Sequence, residues 1–338
     1  MKPSMAGRVS SVPPDLLALL DEHLAPAVTD HGTIRSEVWE RTLVGIAREL
    51  LGRPGKQFRA RLVELAFELA GGTVGELCPV IPQLVEVVHA GSLIVDDIQD
   101  DSLERRGGPA LHRLYGVPLA INTGNWLYFA AFHLIDRAAL GDGAALEIYR
   151  RLTRTMFRSH QGQALDLAID VTALRQRDVL ELTDAAAALK AGELMSFAAA
   201  LGGLAAGAVI PRVESLARFG AALGVGLQHL DDAGGLRGRR DKGREDLAGH
   251  RLTWPWACLA GKLDTVGFTT LQRKLRDARD GDLDPFIDEL AGLLGDDAYD
   301  RACIRLDGAR GMLTEQFAGH PALSSVDAEL ARLEHAYA

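Results

Sequence analysis

The chain has 338 residues, 47% hydrophobic and 25% charged, which is ordinary for a globular protein with a sizeable core and excludes disordered or collagen-like composition. Its 37 basic and 46 acidic residues leave a net charge of −9, which argues against a nucleic-acid binder but leaves room for a local basic pocket. The three cysteines, Cys78, Cys258 and Cys303, are widely spaced with no CxxC, so neither a disulfide framework nor a structural zinc site is expected, and a reducing cytoplasm is the expected compartment.

The opening residues, MKPSMAGRVSSVPPD, hold no apolar segment of the secretory kind, and residues 1–12 are expected to form a flexible tail. Pro13-Pro14-Asp15 opens a helix with Leu17, Leu20 and Leu24 on one side. Trp39, Leu43, Ile46 and Leu50 continue the helical spacing, and Pro82 opens a further helix carrying Val85 and Val88 toward Asp96. Two uncharged runs follow, 114–135 and 194–211. The first carries Pro118, Asn122, Thr123 and Asn125, and the second is diluted by Ala, Gly and Ser, so both are expected as buried helices and not as membrane spans. The Gly/Arg-rich stretch 234–246 is the most loop-like interior segment. Val326, Leu330, Leu333 and Tyr337 restore the helical period near the end. Alternating strand patterns and hairpin signals are lacking, so one all-α domain over 13–338 is expected.

The sharpest chemical feature is DDIQD at 96–100, at the end of the apolar run Leu93-Ile94-Val95. On a helix Asp96 and Asp100 share a face, with Asp97 beside them. Two carboxylates about 4 Å apart repel by roughly 1 to 4 kcal/mol, a cost that a hard cation such as Mg²⁺ removes. A solvated acidic face is the bland alternative. Arg105 and Arg106 come next, before an expected Gly107-Gly108-Pro109 turn. They could neutralise the acids or hold phosphate oxygens with fork-like hydrogen bonds. A second acidic pair, Asp231-Asp232, closes another apolar run after Gln228. Two such ends suggest two walls of one cavity suited to a metal-bound diphosphate, against the alternative of two unrelated helix ends.

In this order GKQFRA (55–60), HAGSLIVDDIQDDSLERRGGPALHRLYG (89–116), GQALD (162–166), LKAGEL (189–194), LQHLDD (227–232) and GREDLAGHRLTWP (243–255) resemble the trans-isoprenyl diphosphate synthase, or polyprenyl synthetase, family. The resemblance runs from about residue 50 to about 260. It implies a single helical bundle of the isoprenoid synthase type with a central cavity, and head-to-tail condensation of isopentenyl diphosphate with an allylic diphosphate to a short- or medium-chain product. It implies three Mg²⁺ ions, with Asp96, Asp100 and Asp231 as ligands and Asp97 and Asp232 in support. Arg105, Lys190 and Lys242 would contact the allylic diphosphate, and Lys56, Arg59, His89 and Arg106 would hold isopentenyl diphosphate. Gln228, with Gln163 and Asp166, would line the second wall. The residues implied to act in catalysis are Asp96, Asp97, Asp100, Arg105, Lys190, Gln228 and Asp231. A homodimer is implied by the resemblance alone.

Departures from the family pattern mark a diverged member. Gly235 replaces the third acid of the second motif, and Ala191 replaces the threonine after Lys190. Gln57, Ala60 and Val95 replace an arginine, a proline and a histidine, and the loop from Asp231 to Asp246 is shorter. These keep two alternatives open, a non-catalytic or regulatory subunit and a class I terpene cyclase-like enzyme. Intact DDIQD speaks against the first, and retention of Lys56, Arg59 and Arg106 against the second. Gly91 and Ser92, one turn before Asp96, are expected to line a channel for the growing tail, with Trp126 or Phe129 as its alternative floor.

Overall fold

The structure is a computed structural model and describes residues 14–24, 36–55, 57–73, 75–278 and 281–337. The expected tail at 1–12 lies outside them, as does Lys56. The fold is all-α, as the periodicity implies, and it divides into two compact units.

The first unit comprises residues up to Glu64 and Thr73–Tyr149. It contains α1 (Pro14–Leu19), α2 (Ser36–Trp39), α3 (Gly45–Leu51), the start of α4 (Phe58–Leu69), α5 (Val80–Gln99), α6 (Leu111–Tyr115), α7 (Val117–Arg137) and the start of α8 (Asp142–Ala168). In α1 and the turn after it the inward face is Leu16, Leu19, Leu20 and Leu24, while Leu17 is only half-buried. Helix α5 is the unit's centre. It begins at Val80, two residues before Pro82, because a proline is tolerated in a first turn whose N–H groups lack partners anyway. Residues 80–88 are all buried, the mark of a helix surrounded by core. Each fully buried Leu or Val there contributes roughly 1.5 to 3 kcal/mol by leaving water.

Helix α7 lies against α5, and the two backbones meet at paired glycines. A Cβ on Gly91 would stand 2.8 Å from the Gly124 carbonyl oxygen, and one on Gly124 would stand 3.0 Å from Val95. Gly91 is therefore a packing residue against α7 and does not line a channel, which corrects the sequence expectation. Phe129 is 72% exposed, because it lies about 200° round the helix from the buried Leu127; it is no interior floor. Trp126 and Ser92 are half-buried, and the Ser92 hydroxyl donates to the His89 carbonyl at 2.8 Å.

The second unit comprises Leu65–Gly72 and Arg150–Ala338. It holds the rest of α4 and α8, then α9 (Val179–Ala187), α10 (Glu193–Ala205), α11 (Ile210–Gly234), α12 (Arg240–Ala248) and α13 (Trp254–Lys262), followed by α14 (Thr265–Ala278), α15 (Asp284–Leu294), α16 (Asp297–Gln316) and α17 (Leu323–Tyr337). Helix α11 packs against α10 and α16. A π-helical turn, Ala188–Gly192, joins α9 to α10 and carries Lys190; such turns recur at functional sites.

The stretch 234–246, expected as a loop, becomes helical from Arg240. Asp241 sits in the first turn of α12, the Lys242 ammonium reaches Asp246 one turn on, and Arg244 pairs with Asp284 of α15. Among the described residues no helix is long and apolar enough to cross a membrane, and the three cysteines are free.

Candidate active site

In the first unit α5 runs to Gln99, and Asp100 caps it with its N–H on the Asp96 carbonyl at 2.8 Å. This keeps Asp96 and Asp100 one turn apart on one face. Asp101 then takes a left-handed conformation (φ 52°), tolerable for aspartate, and the chain reverses. The reversal leads into a two-residue hairpin, β1 (Glu104–Arg105) against β2 (Gly108–Pro109). Its turn residues are Arg106 and Gly107, both at positive φ, one residue before the expected turn. The buried Arg53 guanidinium clamps this hairpin by donating to the carbonyls of Arg105 (2.7 Å) and Pro109 (2.9 Å).

The acids of this motif have different surroundings. Asp97 is buried and accepts from Arg105 Nε at 2.8 Å; burial raises its pKa although the guanidinium opposes this. Arg105 thus neutralises the acid that points inward. Asp101 pairs with Arg113 at 2.6 Å. Asp96 lies near Tyr128 of α7, whose phenol is pushed up in pKa by burial and by that carboxylate. Tyr128 is the aromatic that sequence reasoning missed. Only tertiary packing of α7 on α5 brings it here.

His89, two turns before Asp96, sits among guanidinium groups. Burial lowers its pKa well below the usual value, and Arg59, Arg106 and Arg105 add to the effect. Arg106 is itself lowered by burial, with Glu86 opposing. Glu86 also accepts the Ala60 N–H at 3.2 Å near the start of α4, which helps fix that helix end beside Arg59. The structure therefore brings Arg59, His89, Arg105 and Arg106 together around a spot suited to an anion.

In the second unit Asp232 is buried and both its oxygens accept from protein donors. Gln228 Nε2 donates at 2.8 Å to one, and the Trp254 backbone N–H at 3.0 Å to the other. Burial raises its pKa, against Lys242. Asp231 faces Arg239 Nη2 at 2.8 Å and Lys242 Nζ at 3.7 Å. Lys242 is held at 2.6 Å from Asp246 and 3.6 Å from Asp232, so it sits amid three carboxylates that keep it charged. Gly235, where the usual third acid would stand, is buried against α12: a Cβ there would lie 3.2 Å from the Asp232 carbonyl oxygen and 3.3 Å from Gly243 Cα, a tight fit that a small shift relieves. The tighter contact is on the other side, where a Cβ on Gly243 would fall 2.3 Å from the Gly235 carbonyl oxygen.

A second basic group forms around Asp166 near the end of α8. Lys190 Nζ donates to Asp166 Oδ2 at 2.7 Å, and Arg251 Nη1 donates to the same oxygen at 3.0 Å. Gln163 lies one turn earlier on α8. Arg239, Asp246 and Arg251 were not singled out from sequence. The i, i+4 spacing of Lys242 and Asp246 was a usable signal. Arg239, one of several arginines in a Gly/Arg-rich stretch, had none.

Hard carboxylate oxygens at Asp96, Asp100 and Asp231 are the donor type that Mg²⁺ prefers. Among the described residues no three His, Cys, Asp or Glu side chains converge into a ready-made cage.

The description of polyprenyl synthetases matches residues 40–279 of the chain. A geranylgeranyl diphosphate synthase of Sulfolobus acidocaldarius is 32% identical over 185 residues, 54% of each chain. A short chain isoprenyl diphosphate synthase of Methanothermobacter thermautotrophicus is 32% identical over 205 residues, 58% of this chain and 59% of that one. The chain thus spans little more than half the length of these curated relatives. The fold matches a decaprenyl diphosphate synthase from Rhodobacter capsulatus, with TM-score 0.74, 22% identity and coverage of 96% and 98%. It also matches a polyprenyl synthase from Caulobacter crescentus complexed with calcium and isoprenyl diphosphate, with TM-score 0.69, 23% identity and 93% coverage of both chains.

Proposed function

The chain belongs to the polyprenyl synthetase family, and from that premise we propose that it is a prenyltransferase. It condenses isopentenyl diphosphate with an allylic diphosphate primer, head to tail, giving a short- or medium-chain polyprenyl diphosphate. The observation that carries this reading is the presence of two separate basic groups. One is Arg59, His89 and Arg106; the other is Lys190 and Arg251, which share Asp166. Elongation needs two diphosphates held by different residues, whereas a cyclase needs one. The names of the curated relatives support the same reaction.

Asp96, Asp100 and Asp231 would hold Mg²⁺, three ions in all, and the calcium complex of the Caulobacter relative supports a divalent requirement. Bound Mg²⁺ supplies positive charge to the leaving diphosphate. Lys190 and Arg251, with Lys242 of the same unit in support, fix the allylic diphosphate and stabilise the charge that grows on it as the C–O bond breaks. Arg59, Arg106 and His89 orient isopentenyl diphosphate so that its double bond meets the allylic carbon. The new C–C bond forms, and a proton leaves the adjacent carbon for the departed diphosphate. Gln228 acts by holding Asp232, and Asp97 by fixing Arg105. A cytoplasmic homodimer is the proposed state.

The test is incubation with Mg²⁺, isopentenyl diphosphate and dimethylallyl, geranyl or farnesyl diphosphate, followed by product mass. The expected result is addition of five-carbon units that requires isopentenyl diphosphate. Diphosphate release without it would favour the cyclase alternative, and no turnover with any primer would favour the regulatory-subunit alternative.

A further inference from the structure

We propose that His250 and Asp170 are positioning residues that set Arg251 against Asp166 and so organise the allylic diphosphate group. The inference rests on the reading of Lys190 and Arg251 given above. His250 is 7% exposed and takes a left-handed conformation (φ 50°), a state uncommon outside glycine though histidine adopts it more readily than most residues. Three contacts enforce it here. Its N–H donates to the Leu247 carbonyl at 3.0 Å, its carbonyl accepts from the Val171 N–H at 3.0 Å, and its Nδ1 lies 3.2 Å from Asp170 Oδ2.

Asp170 is fixed in turn. Its other oxygen accepts from the Thr172 N–H at 2.8 Å and the Thr172 hydroxyl at 2.7 Å. Gln272 of α14 donates to the Val171 and Leu174 carbonyls at 2.7 and 2.8 Å, which pins this turn to the helix behind it. The result is a double grip. Consecutive residues 250 and 251 reach Asp170 and Asp166, which lie four residues apart where α8 ends. Arg251 itself is held at its backbone, where its N–H donates to the Asp246 carbonyl at 2.8 Å. The left-handed kink at His250 therefore turns the next side chain onto the carboxylate it shares with Lys190.

The experiment measures binding of inorganic pyrophosphate with Mg²⁺ by calorimetry, and KM for each substrate. His250→Gly keeps access to the left-handed backbone but removes the imidazole. It should weaken pyrophosphate binding and raise the allylic KM by about tenfold, leaving kcat and the isopentenyl diphosphate KM within about twofold. His250→Asn, which tolerates the left-handed state and can hydrogen-bond Asp170, should recover most of the loss. Asp170→Ala should reproduce the His250→Gly effect, and the double variant should be no worse than either single one. Wild-type pyrophosphate binding in both His250→Gly and Asp170→Ala overturns the inference, as does an equal rise in both KM values. Lys190→Ala and Arg251→Gln separate the two levels. If these bind pyrophosphate normally, the underlying site assignment fails; if they lose it while the His250 and Asp170 variants do not, only the present inference fails.

Discussion

The two acidic motifs are built differently. At the first, the partners are near in sequence: Arg105 neutralises Asp97 from eight residues on, and Arg113 pairs with Asp101. At the second, Asp231 and Asp232 are surrounded by groups from α12, α13 and the loop between α11 and α12, namely Arg239, Lys242 and the Trp254 N–H. The first is a helix end with its counter-charges close by in sequence, Arg105 on the hairpin and Arg113 on α6. The second is a tertiary construction in which side-chain cations already stand beside the carboxylates. The lesson is that two motifs of similar spelling can be held by different kinds of neighbour. Asp97 is held by a guanidinium eight residues away, whereas both oxygens of Asp232 accept hydrogen bonds, one from Gln228 and one from the distant Trp254 N–H.

The largest expected effect tests that contrast directly. Asp96→Ala or Asp100→Ala should lower turnover by about a thousandfold, close to 4 kcal/mol of lost transition-state stabilisation, with the helical circular dichroism unchanged. Asp231→Ala should do the same. Asp232→Asn should cost stability as well as rate, because it replaces a buried acceptor of two hydrogen bonds and leaves Lys242 with one counter-charge fewer. Thermal unfolding of the three kinds of variant separates them. Equal melting temperatures for Asp231→Ala and Asp232→Asn would remove the distinction drawn between these neighbours.

The tight second motif can also be broken through its backbone. Gly243→Ala places a methyl group 2.3 Å from the Gly235 carbonyl oxygen, a contact that backbone must move to relieve. Overpacking of this kind costs about 1 to 3 kcal/mol, readable in denaturant unfolding. Gly235→Asp, which rebuilds the usual motif spelling, should likewise destabilise the protein and should not raise activity. A gain in activity would show that the site had room for the third acid.

How much of this was legible follows the same division. The helical architecture, the acidic cluster at 96–100 and its arginines could be read directly, since they depend on spacing within one or two turns. The glycine at 91 was visible, but its role was not. Whether a small residue lines a space or seats a neighbouring helix depends on α7, and there Gly124 settles the matter. Phe129 and Tyr128 illustrate the same limit. Adjacent aromatics on one helix end up one exposed and one beside Asp96, a difference of one 100° step. Arg239 and Arg251 became site residues only through folding of 234–254 back onto α8 and α11.

A smaller effect sharpens the division of labour between the basic groups. Arg59→Ala should raise the KM for isopentenyl diphosphate by about ten- to thirtyfold, or 1.4 to 2 kcal/mol, with little change for the primer. Lys190→Ala should do the reverse. Initial-rate kinetics with each substrate varied in turn decides this, and equal effects on both substrates would dissolve the two-group reading.

The smallest expected effect concerns acid stability and a residue inside the second motif. His229 lies between Gln228 and Asp231 in sequence, is fully buried, and stacks on Trp254 with ring centroids 4.1 Å apart. Neither of its ring nitrogens makes a hydrogen bond among the described residues, and its Nε2 lies 3.6 Å from Asp184 Oδ1. Burial, helped by the charge of Arg305, lowers its pKa from 6.5 to about 3. The folded state thus keeps the ring neutral while the unfolded chain takes up a proton below 6.5. Stability from this residue is full above pH 6.5 and falls by about 1.4 kcal/mol per pH unit on acidification, levelling off only near the folded pKa. His229→Leu removes the titration but also the stacked ring, so its offset at pH 7.5 serves as the baseline. Relative to that baseline, the variant should be about 2 kcal/mol less sensitive than the parent on going from pH 7.5 to 5. Asp232 and Asp97, whose raised pKa values act in the opposite direction, are present in both proteins and cancel in the difference. Denaturant melts at the two pH values measure it. Parallel pH dependence in parent and variant would mean that His229 is solvated or partnered in solution, and that the second motif is looser than its geometry implies.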